Sequence, residues 1–170
     1  MKKELRERIS IIPEMMDLLN KQIQQEQFAS SSYLAMASWC DQNGFSNSAN
    51  LFYSQSEEER EHMMKLFSYI IKNGGAAISP SVSEVNHSFL SLKDVFHTAL
   101  ELEISVTENI QKLMTSARNL QDYNSELILQ WFVKEQAEEE EFYRDIIQMI
   151  ELMGDAPLQM IDDRIKRADE

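Results

Sequence analysis

Four long stretches of this chain carry apolar residues in alternating steps of three and four, and each stripe is broken near its middle by a glutamate. The first runs Ile12, Met16, Leu19, Ile23, Glu26, Ser30, Tyr33, Ala37, Cys40, and the second Ala49, Phe52, Ser56, Glu59, Met63, Leu66, Ile70. The third runs Leu92, Phe96, Ala99, Glu103, Val106, Ile110, Leu113, Ala117, and the fourth Ile128, Phe132, Glu135, Glu139, Phe142, Ile146, Met149, Met153. Such spacing keeps one face of an α-helix turned inward. The fold class it predicts is all-α, an up-down four-helix bundle. A carboxylate in register with core residues must be neutralised, paired or coordinated to a cation. In helices of about 28 residues, roughly 42 Å long, midpoints stay level whichever way each helix points. Glu26, Glu59, Glu103 and Glu139 are therefore expected to converge.

Punctuation along the chain sets the topology. Four Gly and three Pro leave the stripes uninterrupted: Pro13 stands near the first start, Gly44 between the first two stripes, Gly74 and Gly75 after the second, Gly154 and Pro157 after the fourth. Helices are predicted over 10–42, 46–73, 92–119 and 122–153, with a short fifth over 157–168 that aligns Leu158, Ile161 and Ile165. The turns at Asn43-Gly44 and at Leu120 to Tyr123 are short enough to join only antiparallel neighbours. The link 74–91 has 18 residues and could stretch roughly 60 Å, enough to cross the bundle from end to end. Its alternation of Ile78, Pro80, Val82 and Val85 predicts extended backbone, which the same segment of a second subunit could pair. The chain reads as one domain over 1–170, with 1–9 as an N-terminal extension.

Composition narrows the classes. A net charge of −13 disfavours nucleic acid and anionic membrane as partners; it is compatible with cations or with simple solubility. A single cysteine, Cys40, cannot form an internal disulfide and lies on an apolar stripe, which fits a reducing compartment. Residues 1–10 are rich in Lys, Arg and Glu without an apolar h-region, and no run of eighteen apolar residues occurs. A cytoplasmic location is expected. The ten methionines suit irregular gaps in a helical core.

Carboxylates with one or two imidazoles suit hard or borderline cations such as Fe(II) or Mn(II), and a bridging carboxylate holds two ions close together. The chain supplies lone glutamates at Glu26 and Glu103 and one Glu-x-x-His pair at Glu59 and His62, whose spacing puts both side chains on one helix face. On the fourth helix Gln136, not histidine, precedes Glu139 by three residues, so two metal positions there would be unequal. Glu58, Glu135 and Glu138 flank the stripes and could hold a further cation. Any one mid-stripe Glu could instead find a base or solvent; four level ones are harder to explain that way. Tyr33, two turns beyond Glu26, could hydrogen-bond a ligand carboxylate, donate an electron, or be a core tyrosine with a satisfied hydroxyl. Trp131 reads as packing, and Glu57, Glu61, Glu140 and Glu141 as solvated.

At these residues the chain resembles the bacterial non-haem ferritins. The resemblance runs through Gln25-Glu26 with Tyr33 seven residues on, Ala37-Ser38-Trp39-Cys40, Glu57-Glu58-Glu59-Arg60-Glu61-His62-Met63, Leu129-Gln130-Trp131-Phe132-Val133 and Glu135-Gln136-Ala137-Glu138-Glu139. It implies that Glu26, Glu59 and His62 bind a first iron, and Glu59, Glu103 and Glu139 a second, with Gln136 nearby. It places a third iron at Glu58, Glu135, Glu138 and Glu139. It also implies a hollow shell of 24 identical subunits that oxidises Fe(II) with dioxygen and stores ferric oxyhydroxide. Haem is not expected, because Arg60 occupies the position at which haem-binding relatives carry a methionine. Two other readings compete. A rubrerythrin-type di-iron peroxidase usually carries two Glu-x-x-His pairs and often a Cys-x-x-Cys module, whereas a helical interaction protein would pair the acids with a partner's basic residues.

Overall fold

The computed structural model describes residues 9–165. The expected extension 1–9 lies almost wholly outside the described residues, as does the predicted end of the fifth helix beyond 165. Four long helices form: α1 Pro13–Gln42, α2 Ser46–Lys72, α3 Leu92–Asn119 and α4 Tyr123–Met153; a short α5, Leu158–Asp162, follows. The first starts three residues later than predicted. Proline disfavours the helical conformation in the residue before it, and Ile12 is extended at φ −71°, ψ 130°, with Pro13 in the first turn. Ser10 instead donates its N–H to the Asn73 carbonyl at 2.9 Å, tying the chain start to the end of α2.

The starts of α3 and α4 are fixed locally. Ser91 Oγ accepts from Asp94 N at 3.1 Å while Asp94 Oδ2 accepts from Leu90 N at 2.8 Å, and Asp122 Oδ1 accepts from Ser125 N at 3.1 Å. No side chain of its own caps α2. Asp162 of α5 does so from 114 residues away, accepting from the N–H groups of Asn47 (3.0 Å) and Ser48 (2.9 Å) and from Ser48 Oγ (2.5 Å). This contact docks α5. The predicted fifth helix is thus much shorter than 157–168. Ile161 and Ile165 are buried as expected, but Leu158, at the first turn, is 53% exposed, and Asp162 is buried instead.

Hydrogen-bonded turns close α1 onto α2 through residues 43–45, where Gly44 adopts φ +80°, and α3 onto α4 through 120–122. The link 73–91 has no helix or strand and runs the length of the bundle. At one end Gly75 approaches Ile70, Met16 and Ile11 so closely that a Cβ would lie 2.9 Å from the first two. At the other end Leu92 and Phe96 share a cluster with Cys40, Phe45 and Phe52. Between them the link lies along α1: Asn20 Nδ2 donates to the Ala76 carbonyl (3.0 Å) and Asn20 Oδ1 accepts from Ile78 N (2.8 Å). Ile78 and Val82 of this link are exposed.

Buried side chains fall into two apolar halves. One gathers Met36, Cys40, Phe45, Phe52, Phe96, Tyr143 and Ile150. The other gathers Met15, Leu19, Ile23, Leu66, Ile70, Ile110, Leu129 and Phe132. The glutamates occupy the level where they meet. The stripe predicted for α3 is buried throughout; that predicted for α4 is displaced by about one residue, since the inward line runs Leu129, Phe132, Gln136, Glu139, Tyr143, Ile146, Ile150. Ile128, Glu135, Phe142 and Met149 are half-buried flanks. On α1 Met15 rather than Met16 is fully buried. Among the described residues no helix is long and apolar enough to cross a membrane.

Candidate metal centre

Each acid stands within about one turn of its helix midpoint, so the bundle stacks them in one layer. Glu26 and Glu103 are fully buried, Glu59 is 1% exposed, His62 3%, Gln136 1% and Glu139 5%. Ligand atoms of Glu26, Glu59 and His62 all lie within 4.8 Å of one another, and His62 Nδ1 is 3.6 Å from Glu59 Oε2. Tyr33, fully buried, donates its hydroxyl to Glu103 Oε1 in a short contact. It is thereby a carboxylate-orienting tyrosine and a core tyrosine at once. Gln136 Nε2 donates to Glu103 Oε2 at 2.9 Å and to the Glu103 carbonyl at 3.2 Å. The glutamine that replaces a histidine on α4 is therefore turned into the centre.

Electrostatics in this layer are unfavourable for anions. Glu26 has its carboxyl pushed well above the usual 4.5, first by burial and then by the charge of Glu59. Glu59 is raised likewise by burial and by Glu103. Burial also raises Glu103, while the Tyr33 and Gln136 hydrogen bonds pull it back. The Lys and Arg ion pairs seen among the described residues lie elsewhere: Lys93 with Glu151, Arg118 with Glu126, Lys134 with Glu138 and Arg144 with Glu140. Glu26 Oε2, Glu59 Oε2, His62 Nδ1 and Gln136 Oε1 are buried without a hydrogen-bond partner. Unsatisfied buried acceptors cost about 1–3 kcal/mol each, and more when charged. Glu26, Glu59 and His62, which bring ligand atoms within 4.8 Å of one another, offer the carboxylate oxygens and imidazole nitrogen that suit a hard or borderline cation.

A second group joins Glu58, His62 and Glu135, one ligand atom of each within 4.8 Å of the others and the two acids half-buried. Glu138 is outside it, exposed and 3.3 Å from Lys134. Trp131 is half-buried, edge-on to His62 at 5.3 Å and covered by Lys65 Nζ at 3.9 Å from the ring centre. Three polar residues escaped the sequence reading. Gln22 donates to Glu26 Oε1 at 2.9 Å, Gln55 to Glu58 Oε2 at 2.9 Å, and Tyr143 to Gln55 Oε1 at 3.1 Å. A signal for them existed: each stands one helical turn from a mid-stripe acid, Gln22 before Glu26, Gln55 before Glu59, and Tyr143 after Glu139.

A four-helix bundle with a long crossover and a carboxylate–imidazole layer at mid-height has the architecture of the ferritin-like proteins. The ferritin-like domain family matches residues 16–153. A probable bacterial non-heme ferritin-like protein of Haemophilus influenzae is 36% identical over 138 residues, covering 81% of this chain and 84% of that protein. The bacterial non-heme ferritin of Campylobacter jejuni is 34% identical over 142 residues, covering 84% and 85%. Among solved structures, an open pore ferritin from the hyperthermophilic archaeon Archaeoglobus fulgidus superposes with a TM-score of 0.89 at 32% identity, over 92% of this chain and 99% of that one. The chain belongs to the ferritin family, and it resembles the bacterial non-haem members.

Proposed function

We propose that the protein stores iron: it oxidises Fe(II) with dioxygen at a two-iron centre inside each subunit and holds the ferric product within a hollow shell of 24 copies in the cytoplasm. The observation that carries this reading is the cluster of orphaned buried donors on Glu26, Glu59 and His62. Fe(II) is the substrate. Glu26, Glu59 and His62 take the first ion; Glu59, Glu103 and Glu139 take the second, with Gln136 beside it. Glu59 bridges, since it sits next to Glu26 on one side and feels the charge of Glu103 on the other. Carboxylates favour the harder Fe(III), which promotes electron loss, and two irons together supply two electrons to dioxygen. Tyr33 and Gln136 orient Glu103. A further iron would sit near Glu58, Glu135, Glu138 and Glu139. The whole chain acts as one domain and binds no haem. Rapid Fe(II) oxidation is expected to disappear in the Glu59→Ala/His62→Ala double variant while the assembly still elutes as a large shell on gel filtration. An unchanged rate would place the chemistry elsewhere.

A further inference from the structure

Beyond the first group of acids, a hydrogen-bonded chain crosses the bundle and ends on Glu58. Tyr143 is fully buried and stacked on Tyr33 at 6.1 Å with 10° between the rings; Phe142 lies against its edge at 5.3 Å and Phe96 at 6.4 Å. Its hydroxyl donates to Gln55 Oε1 at 3.1 Å, and Gln55, 1% exposed, donates Nε2 to Glu58 Oε2 at 2.9 Å. Only one amide orientation makes both contacts attractive. Turned over, Gln55 would set its carbonyl oxygen against a carboxylate oxygen, two acceptors with no proton between them. The phenol, immobilised among three rings, thus fixes the amide, and the amide fixes the carboxylate.

We propose that Gln55 and Tyr143 are positioning residues that aim Glu58, together with Glu135, at an Fe(II) ion next to His62 and beside the two-iron centre. The inference rests on the iron-oxidising reading above and adds residues that reading does not use. Three observations support it. Glu58, His62 and Glu135 bring one ligand atom each within 4.8 Å. His62 is common to this group and to the Glu26–Glu59 group, so an ion here is a direct neighbour of the first iron, which takes Nδ1. The third is the choice of anchor. Gln55 is a neutral amide, so the contact that fixes this Glu58 oxygen brings no positive charge of its own. A half-buried glutamate left to itself loses rotamer entropy on binding a metal, and an anchor already in place removes part of that cost.

The test is anaerobic Fe(II) titration calorimetry on the assembled, metal-free protein. Tyr143→Phe removes one oxygen and keeps the ring stack. Tyr143→Phe/Gln55→Met removes both partners, so no buried polar atom is orphaned and folding is preserved. Both variants are expected to keep the tight pair of Fe(II) equivalents and to bind the additional equivalent about tenfold more weakly. A merely structural role would instead weaken all equivalents together or lower the melting temperature. Binding of the additional equivalent as tight as in the wild type, in both variants, would overturn the proposal. A wild-type protein without any saturable Fe(II) binding would instead overturn the iron-oxidising reading itself, which the Glu59→Ala/His62→Ala variant tests separately.

Discussion

Raising the pH over the metal-free protein should destabilise it, against the usual behaviour of carboxylates engaged in ion pairs. Glu26, Glu59 and Glu103 are held above the usual 4.5, chiefly by burial. The unfolded chain ionises them near 4.5; the fold keeps them protonated to higher pH. Between those limits the native state binds more protons than the unfolded state, so stability falls as pH rises. Below 4.5 both states are protonated and the contribution vanishes. Each retained proton contributes a slope of about 1.4 kcal/mol per pH unit. The protons leave the cluster in collective steps, because neighbouring acids repel. A divalent cation reverses the trend, since it binds the deprotonated ligands of the folded state. The assay is urea unfolding at fixed subunit concentration across about pH 5 to 8, comparing wild type with Glu26→Gln and with the exposed control Glu61→Gln. The stability of Glu26→Gln is expected to rise relative to wild type by up to about 1.4 kcal/mol per pH unit, with Glu61→Gln parallel to wild type. Parallel curves for all three would mean that Glu26 is solvated, and the argument for a cation among these acids would fail.

Two further outcomes concern the docking of α5. Asp162→Ala removes a fully buried carboxylate that accepts from two backbone N–H groups and the Ser48 hydroxyl, and is expected to cost about 2–3 kcal/mol in urea unfolding; a loss below that of an exposed control would show that α2 needs no distant cap. Cys40 is fully buried and its thiol is pushed up to about 12, first by burial and then by the charges of Asp162 and Asp41. Thiol reagents at neutral pH should label it slowly in the wild type and faster in Asp162→Ala, whereas native labelling as fast as that of urea-unfolded protein would refute the burial.

The parts of the fold legible in sequence are those set by the helical period. The α3 stripe is buried at every predicted position because Leu92, Phe96, Ala99, Val106, Ile110, Leu113 and Ala117 are all apolar and leave Glu103 one possible facing. On α4 the acids Glu135, Glu138 and Glu139 and the glutamine between them present two overlapping 3,4 rows, so pattern alone cannot choose. Partners on other helices decide: Gln136 turns inward to serve Glu103, and Glu135 is left on the flank. Asp162 was illegible for the same reason. An aspartate near a chain end reads as solvent-facing, and only the uncapped start of α2, far away in sequence, gives it a buried role.

The same logic gives the layer an internal order. Glu103 is held by two neutral donors, Tyr33 on one oxygen and Gln136 on the other. Glu26 has one donor, Gln22, and one bare oxygen, while the Glu59 oxygen that faces His62 Nδ1 is unsatisfied along with that nitrogen. The unmet demand for positive charge is therefore concentrated on the Glu26, Glu59 and His62 side. On the reading proposed here a first Fe(II) gains most there. Its arrival would offset the Glu59 charge that raises the Glu26 carboxyl and the Glu103 charge that raises Glu59, so Glu59 could share its charge with a second ion beside Glu103. Replacing Gln136 with an apolar residue would disturb that second position while leaving the first intact, which is the asymmetry a glutamine in place of a histidine builds into the bundle.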